Sequence, residues 1–70
     1  MKRETVKSRN LRSVGYDRST QTLEVEFNSG GIYQYFHVSE NVYTGLMDAS
    51  SHGRYFNHFI KNRYPTRRVR

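Results

Sequence analysis

The sequence predicts an α+β fold: a three-stranded antiparallel β-meander followed by two helices packed on one face of the sheet, in the order β-β-β-α-α. Three observations carry this reading. The segment Leu23–Phe27 alternates strictly between apolar and acidic residues. A Gly-Gly turn follows it, and then the aromatic run Ile32–Val38. Beyond Ser39 the apolar spacing changes from the period of a strand to that of a helix, in two successive segments.

Taken in order, Met1–Asn10 has no apolar periodicity beyond Val6 and reads as a loose basic arm. Leu11–Asp17 is a short strand carrying Leu11, Val14 and Tyr16, with Gly15 marking a bulge or a close backbone approach. The polar DRSTQT segment is a turn. In the second strand Leu23, Val25 and Phe27 share one face and Glu24 and Glu26 the other, where they would be solvated. The Asn28-Ser29-Gly30-Gly31 turn suits the positive φ of a tight hairpin.

The register of the third strand has two solutions. A two-residue loop pairs Phe27 with Ile32 and buries Gln34. A three-residue loop with a glycine bulge pairs Phe27 with Tyr33 and Val25 with Tyr35, and sends Gln34 out beside Glu24 or Glu26. The second is preferred because a one-residue slip inverts every side chain and Gln34 is better solvated. It leaves Phe36 on the outer face without an explanation.

Ser39 is a good N-cap and Glu40 suits a first helical turn, so Glu40–Ala49 forms a helix despite Gly45. Ser51 caps a second helix to about Asn62, with Tyr55, Phe56, Phe59 and Ile60 on its apolar stripe. Pro65 ends it, and Thr66–Arg70 is a basic tail. The expected core contains Leu11 or Val14, with Leu23, Val25, Phe27, Tyr35, Val42, Leu46, Tyr55, Phe56, Phe59 and Ile60.

The chain has 70 residues, enough for one domain that buries only about 60% of its unfolded surface. It has no cysteine, which excludes a disulfide framework and fits a reducing, cytoplasmic setting. No apolar run approaches a membrane span and no signal-peptide core follows Met1, so no membrane partner is expected. The net charge of +6 is uneven. Residues 1–10 carry +3 and residues 61–70 carry +5, while residues 11–60 carry −2. Cationic ends on a nearly neutral body suit a polyanion, nucleic acid first; they also serve solubility.

The segments NLRSVGYD, TLEVEF, SGGIYQYF and SSHGRYFNHFIKNRYP resemble, in order and spacing, the KTSC domain. This small family is named for its occurrence at the C-terminus of some lysyl-tRNA synthetases and also occurs as free-standing bacterial proteins. The resemblance runs from about Ser8 to Val69 and includes the family's Tyr-x-Tyr, here Tyr33 and Tyr35. Ser39 stands where many relatives are expected to have Pro, and either starts a helix. The resemblance implies one KTSC-like domain over residues 11–64, with residues 1–10 as arm and 65–70 as tail. Attachment to a tRNA synthetase suggests RNA binding by association and implies no established activity.

The candidate contact surface is the helix stripe Arg54, Asn57, His58 and Lys61, extended by Arg63, Arg67 and Arg68, with Lys7 and Arg9 as an auxiliary arm. Such a stripe is also what a solvated helix face looks like. Tyr33 and Tyr35 are either base-stacking residues or core residues under the helices, and the preferred register favours the core. His37, His52 and His58 have no ligand spacing for zinc, so no metal and no cofactor is expected. No motif places a base beside a Ser or Thr nucleophile, which points away from an enzyme. The leading expectation is a monomeric, non-enzymatic nucleic-acid-binding module that prefers RNA. The alternative is a protein-interaction module using Phe36 and Tyr64 as apolar anchors, with the basic ends serving solubility only.

Overall fold

The computed structural model describes residues 1–70. The elements are β1 (Glu4–Thr5), β2 (Leu11–Asp17), β3 (Thr22–Phe27), β4 (Ile32–Tyr35), α1 (Glu40–Asp48), α2 (His52–Phe59) and β5 (Thr66–Arg68). All five strands form one antiparallel sheet in the order β1-β2-β3-β4-β5. The α+β class and the two helices agree with the sequence reading, but the sheet has five strands rather than three. The two additional strands come from the basic arm and the basic tail. Neither has apolar alternation, because both are short edge strands with exposed side chains, held by backbone hydrogen bonds rather than by burial.

The β3–β4 hairpin sets the sheet faces. Leu23 pairs with Tyr35, Glu24 with Gln34, and Val25 with Tyr33. The three-residue loop Asn28-Ser29-Gly30 is closed by the Phe27 amide donating to the Gly31 carbonyl at 2.9 Å, with Gly30 at φ 106°. The pairing is therefore two residues away from the preferred register. An even shift preserves side-chain orientation, so Tyr33 and Tyr35 do lie on the helix-facing side and Gln34 on the other. Phe36 lies beyond the end of β4, where its amide donates to the Pro65 carbonyl at 2.9 Å and His37 turns the chain at φ 64°.

The core sits between the sheet and the helices. Leu11, Val14, Leu23, Val25, Tyr35, Val38, Leu46, Phe56 and Ile60 form it. Both Leu11 and Val14 take part, because an irregularity between Leu11 and Ser13 brings the two onto one face. Phe27, Val42 and Tyr55 are half-buried against this cluster. Phe59, expected in the core, is 55% exposed. The reason is the early end of α2: Ile60 leaves helical geometry and Asn62 turns the chain at φ 62°, well short of a helix reaching Asn62. Ile60 is thereby drawn inward and Phe59 faces out against Tyr55, with ring centroids 4.7 Å apart.

The outer sheet face has no helix over it and is closed by a polar network. Arg3 Nη1 donates to Glu24 Oε2 at 2.5 Å and Arg3 Nε donates to Ser13 Oγ at 3.0 Å. Ser13 Oγ donates to Glu26 Oε1 at 2.9 Å, and Gln34 Nε2 donates to Glu24 Oε1 at 2.8 Å. Glu24 is thus a buried, paired carboxylate rather than the solvated one expected. Burial alone would raise its pKa, but the Gln34 and Arg3 hydrogen bonds and the Arg3 charge outweigh it and hold the carboxyl below its ordinary value. Gly15 admits this arrangement: a side chain there would strike the Lys2 carbonyl as the N-terminal segment crosses it.

Candidate nucleic-acid interface

The helix-facing side of the sheet is only partly covered. A nine-residue and an eight-residue helix span about 12–14 Å each, whereas five strands spread over about 19 Å. Tyr16 and Tyr43 stack at 4.9 Å where α1 lies over the sheet. Phe56 of α2 meets Phe27 and Tyr35 edge to face, each at 5.4 Å. Beside α2, toward the β3–β4 loop and β5, a cleft of about 710 Å³ remains open. Phe27, Tyr33, Tyr35 and Phe56 supply its aromatic lining, and Arg9, Asn10, Asn57, Lys61 and Asn62 supply polar groups around it.

A second cleft of about 520 Å³ adjoins the first along Arg9, Asn10 and Asn57. It is lined only by polar residues and glycine, among them Lys7, His52, Arg54 and His58, at the start of α2. Ser51 caps that helix by accepting a hydrogen bond from the Arg54 amide at 3.2 Å, as the sequence indicated.

The basic arm is fixed along these clefts by Asn28. Its Nδ2 donates to the carbonyls of Ser8 at 2.9 Å and Arg9 at 2.7 Å, and its backbone amide donates to the Asn10 carbonyl at 2.8 Å. Ser8 Oγ then accepts from the amides of Asn10 and Leu11. Asn28 reads in sequence as a turn former only. Its role as the anchor of Lys7 and Arg9 depends on a contact across about 20 residues that no local pattern reveals.

The predicted surface is brought together in part. Arg54, Asn57 and His58 are exposed on α2, and Lys61, expected to continue their helix stripe, is exposed in the turn that follows because α2 ends at Phe59; all four meet Lys7 and Arg9 at the two clefts. Arg63 is exposed in the turn after α2. Arg68 lies on the cleft side of the sheet with its guanidinium carbon 5.6 Å from the centroid of Tyr33. Arg67 pairs with Gln34 and so belongs to the opposite sheet face, away from the helix stripe that it was expected to extend. Tyr35 is buried in the core, as the preferred reading held, while Tyr33 is only half-buried. Burial, and then the neighbouring Tyr33, push the Tyr35 hydroxyl up to about 12, so it stays protonated through the neutral range. Asn10, Asn62, Phe27 and Phe56 line the larger cleft and were not singled out as site residues by the sequence.

Neither cleft is lined by a carboxylate. Glu24 and Glu26 are held on the outer sheet face by Arg3, and Glu40 pairs with Arg18 at 2.8 Å. Asp17 accepts from the hydroxyl and amide of Ser19, which hold its carboxyl below the usual value. No group of three or more His, Asp or Glu side chains stands together as a metal cage would. No helix is long and apolar enough to cross a membrane.

Comparison with known proteins agrees with this architecture. The KTSC domain family model matches residues 7–64. An uncharacterized protein of Stutzerimonas stutzeri is 49% identical over 61 residues, covering 87% of this chain and 86% of that protein. A lysine–tRNA ligase of Nostoc punctiforme is 43% identical over 54 residues, which are 77% of this chain and 10% of the ligase. The crystal structure of a KTSC domain protein from Yersinia pestis superposes with a TM-score of 0.96 at 36% identity, over 99% of this chain and 97% of that one. The five-stranded sheet with its two helices, and the sequence that builds them, belong to the KTSC domain family.

Proposed function

We propose that this domain is a non-enzymatic, cytoplasmic nucleic-acid-binding module that acts as a monomer and prefers RNA. One observation carries the reading: Lys7, Arg9, Arg54 and Lys61, with His52 and His58, converge on two adjoining clefts that no carboxylate lines. A polyanion laid along this surface meets positive charge without meeting repulsion. Similarity to part of a lysine–tRNA ligase supports RNA over DNA. Base-edge specificity is expected to be low, because most of the contacts on offer are to phosphates.

Fluorescence anisotropy of labelled single-stranded RNA, single-stranded DNA and their duplexes, at several salt concentrations, tests the reading. If four cations each neutralise one phosphate of a single strand, log K falls against log[salt] with a slope of about −3. Absence of binding at low salt would sink it. The exposed Phe59, packed at a tilt against Tyr55, then supports a protein-docking role in its place, together with Phe36 and Tyr64.

A further inference from the structure

The larger cleft is more than a basic groove. Its volume, about 710 Å³, falls within the roughly 300–1,000 Å³ typical of small-ligand sites. Phe27 and Tyr33 keep part of their surface in it, while Tyr35 and Phe56 are buried beneath. These rings are locked edge to face, Phe27 to Tyr33 at 5.7 Å and Phe27 to Phe56 at 5.4 Å. The guanidinium of Arg68 holds Tyr33 from the β5 side. The result is a rigid aromatic surface that the two short helices leave uncovered.

The polar groups around it have a particular chemistry. Asn10, Asn57 and Asn62 line the cleft and make no side-chain hydrogen bond within the chain, whereas Asn28 Nδ2 spends both its protons on the Ser8 and Arg9 carbonyls. A primary amide both donates and accepts, which matches the edge of a nucleobase. Arg9 and Lys61 supply positive charge beside the amides. A flat apolar body, a polar edge and a flanking negative charge are the three features of a nucleotide.

We infer that this cleft is a pocket for one unstacked nucleobase of a single-stranded RNA, with the ring against Phe27 and Tyr33, the edge at Asn10 and Asn57, and adjacent phosphates at Arg9 and Lys61. The inference rests on the nucleic-acid reading and deepens it. A base paired within a duplex presents no free ring face to this surface, so single strands are selected.

The test compares a labelled single-stranded RNA hexamer with an abasic ribose-phosphate strand of the same length and charge, by anisotropy at fixed salt. The intact strand is expected to bind at least about tenfold more tightly. Asn57→Ala, at an exposed helix position where folding is not at issue, should weaken the intact strand about threefold or more and leave the abasic strand unchanged. Tyr33→Leu should act in the same way. Equal affinity for the two strands overturns the base pocket while leaving phosphate binding in place. Absence of binding by either strand overturns both.

Discussion

Arg3 and Glu24 form an ion pair at 2.5 Å across the intervening strand β2, and this contact ties the N-terminal segment to the centre of the sheet. The Glu24 side chain is 8% exposed and that of Arg3 26%, so the pair is shielded enough to matter. Arg3→Ala should cost about 2 kcal/mol, because it strands a buried carboxylate. Arg3→Lys should recover only part, since an ammonium cannot reach Glu24 and Ser13 in the fork that Arg3 Nη1 and Nε provide. A urea denaturation midpoint unchanged in Arg3→Ala would contradict this.

The same pair sets the acid sensitivity. The folded pKa of Glu24 lies below its unfolded value, so the unfolded chain binds more protons between the two. The stabilisation is therefore complete above about pH 4.5 and is lost as pH falls through the folded value. Melting temperatures measured from pH 6 to pH 2 should drop across this window. In Glu24→Gln the drop should be smaller and the plateau lower.

Helix–helix contact rests on Gly45. A side chain at that position would collide with the Tyr55 hydroxyl and ring. Gly45→Ala should thus destabilise by about 1–3 kcal/mol despite its better helix propensity. Tyr55→Phe removes the oxygen nearest the clash. The double variant should be more stable than the sum of the single changes predicts, which a double-mutant cycle reads directly.

Neighbouring phenylalanines on α2 should behave oppositely. Phe56 is buried among Phe27, Tyr35 and the core, and Phe56→Ala should cost about 3–5 kcal/mol. Phe59 is 55% exposed, and Phe59→Ser should change stability by less than about 1 kcal/mol. Comparable losses at the two positions, measured by chemical denaturation, would refute this account of where the helix faces.

Lys61 and Arg67 separate phosphate contact from bulk charge. Lys61→Ala should weaken RNA binding and reduce the salt slope by about 0.7, whereas Arg67→Ala should leave the slope nearly unchanged. The two variants carry the same net charge, so the comparison isolates position. Equal effects would show that the cleft side of the molecule has no special part in binding.

Much of this architecture is legible in local pattern. The alternation Leu23-Glu24-Val25-Glu26-Phe27 identifies a strand with one apolar face, and Ser51 announces α2. What escapes is held by long-range pairing. β1 and β5 bury no side chain, so their residues read as arm and tail until the backbone partners on β2 and β4 are known. Phe59 and Ile60 both fit the apolar stripe of α2, and only the turn at Ile60–Asn62 shows that Ile60 is buried and Phe59 is not. The stripe of Arg54, Asn57 and His58 was legible because α2 carries it, with Lys61 following in the turn beyond. Its junction with Arg9 was not, because Asn28 on a distant hairpin makes that junction.

The position of β5 gives the larger cleft a dynamic character. Its partner β4 is separated from it in sequence by both helices, so β4–β5 pairing closes a long loop after local contacts have formed. All three β5 side chains are exposed, and Thr66, which lines the cleft, is tied down by its backbone pairing to Tyr35. Little buried surface opposes release of this edge, so β5 lies at the low-stability end of the molecule. Its amides should exchange with solvent well before those of β2 and β3. Release of β5 would carry Arg68 away from Tyr33 and open the β5 side of the cleft, while the aromatic rings of β3, β4 and α2 stay in place.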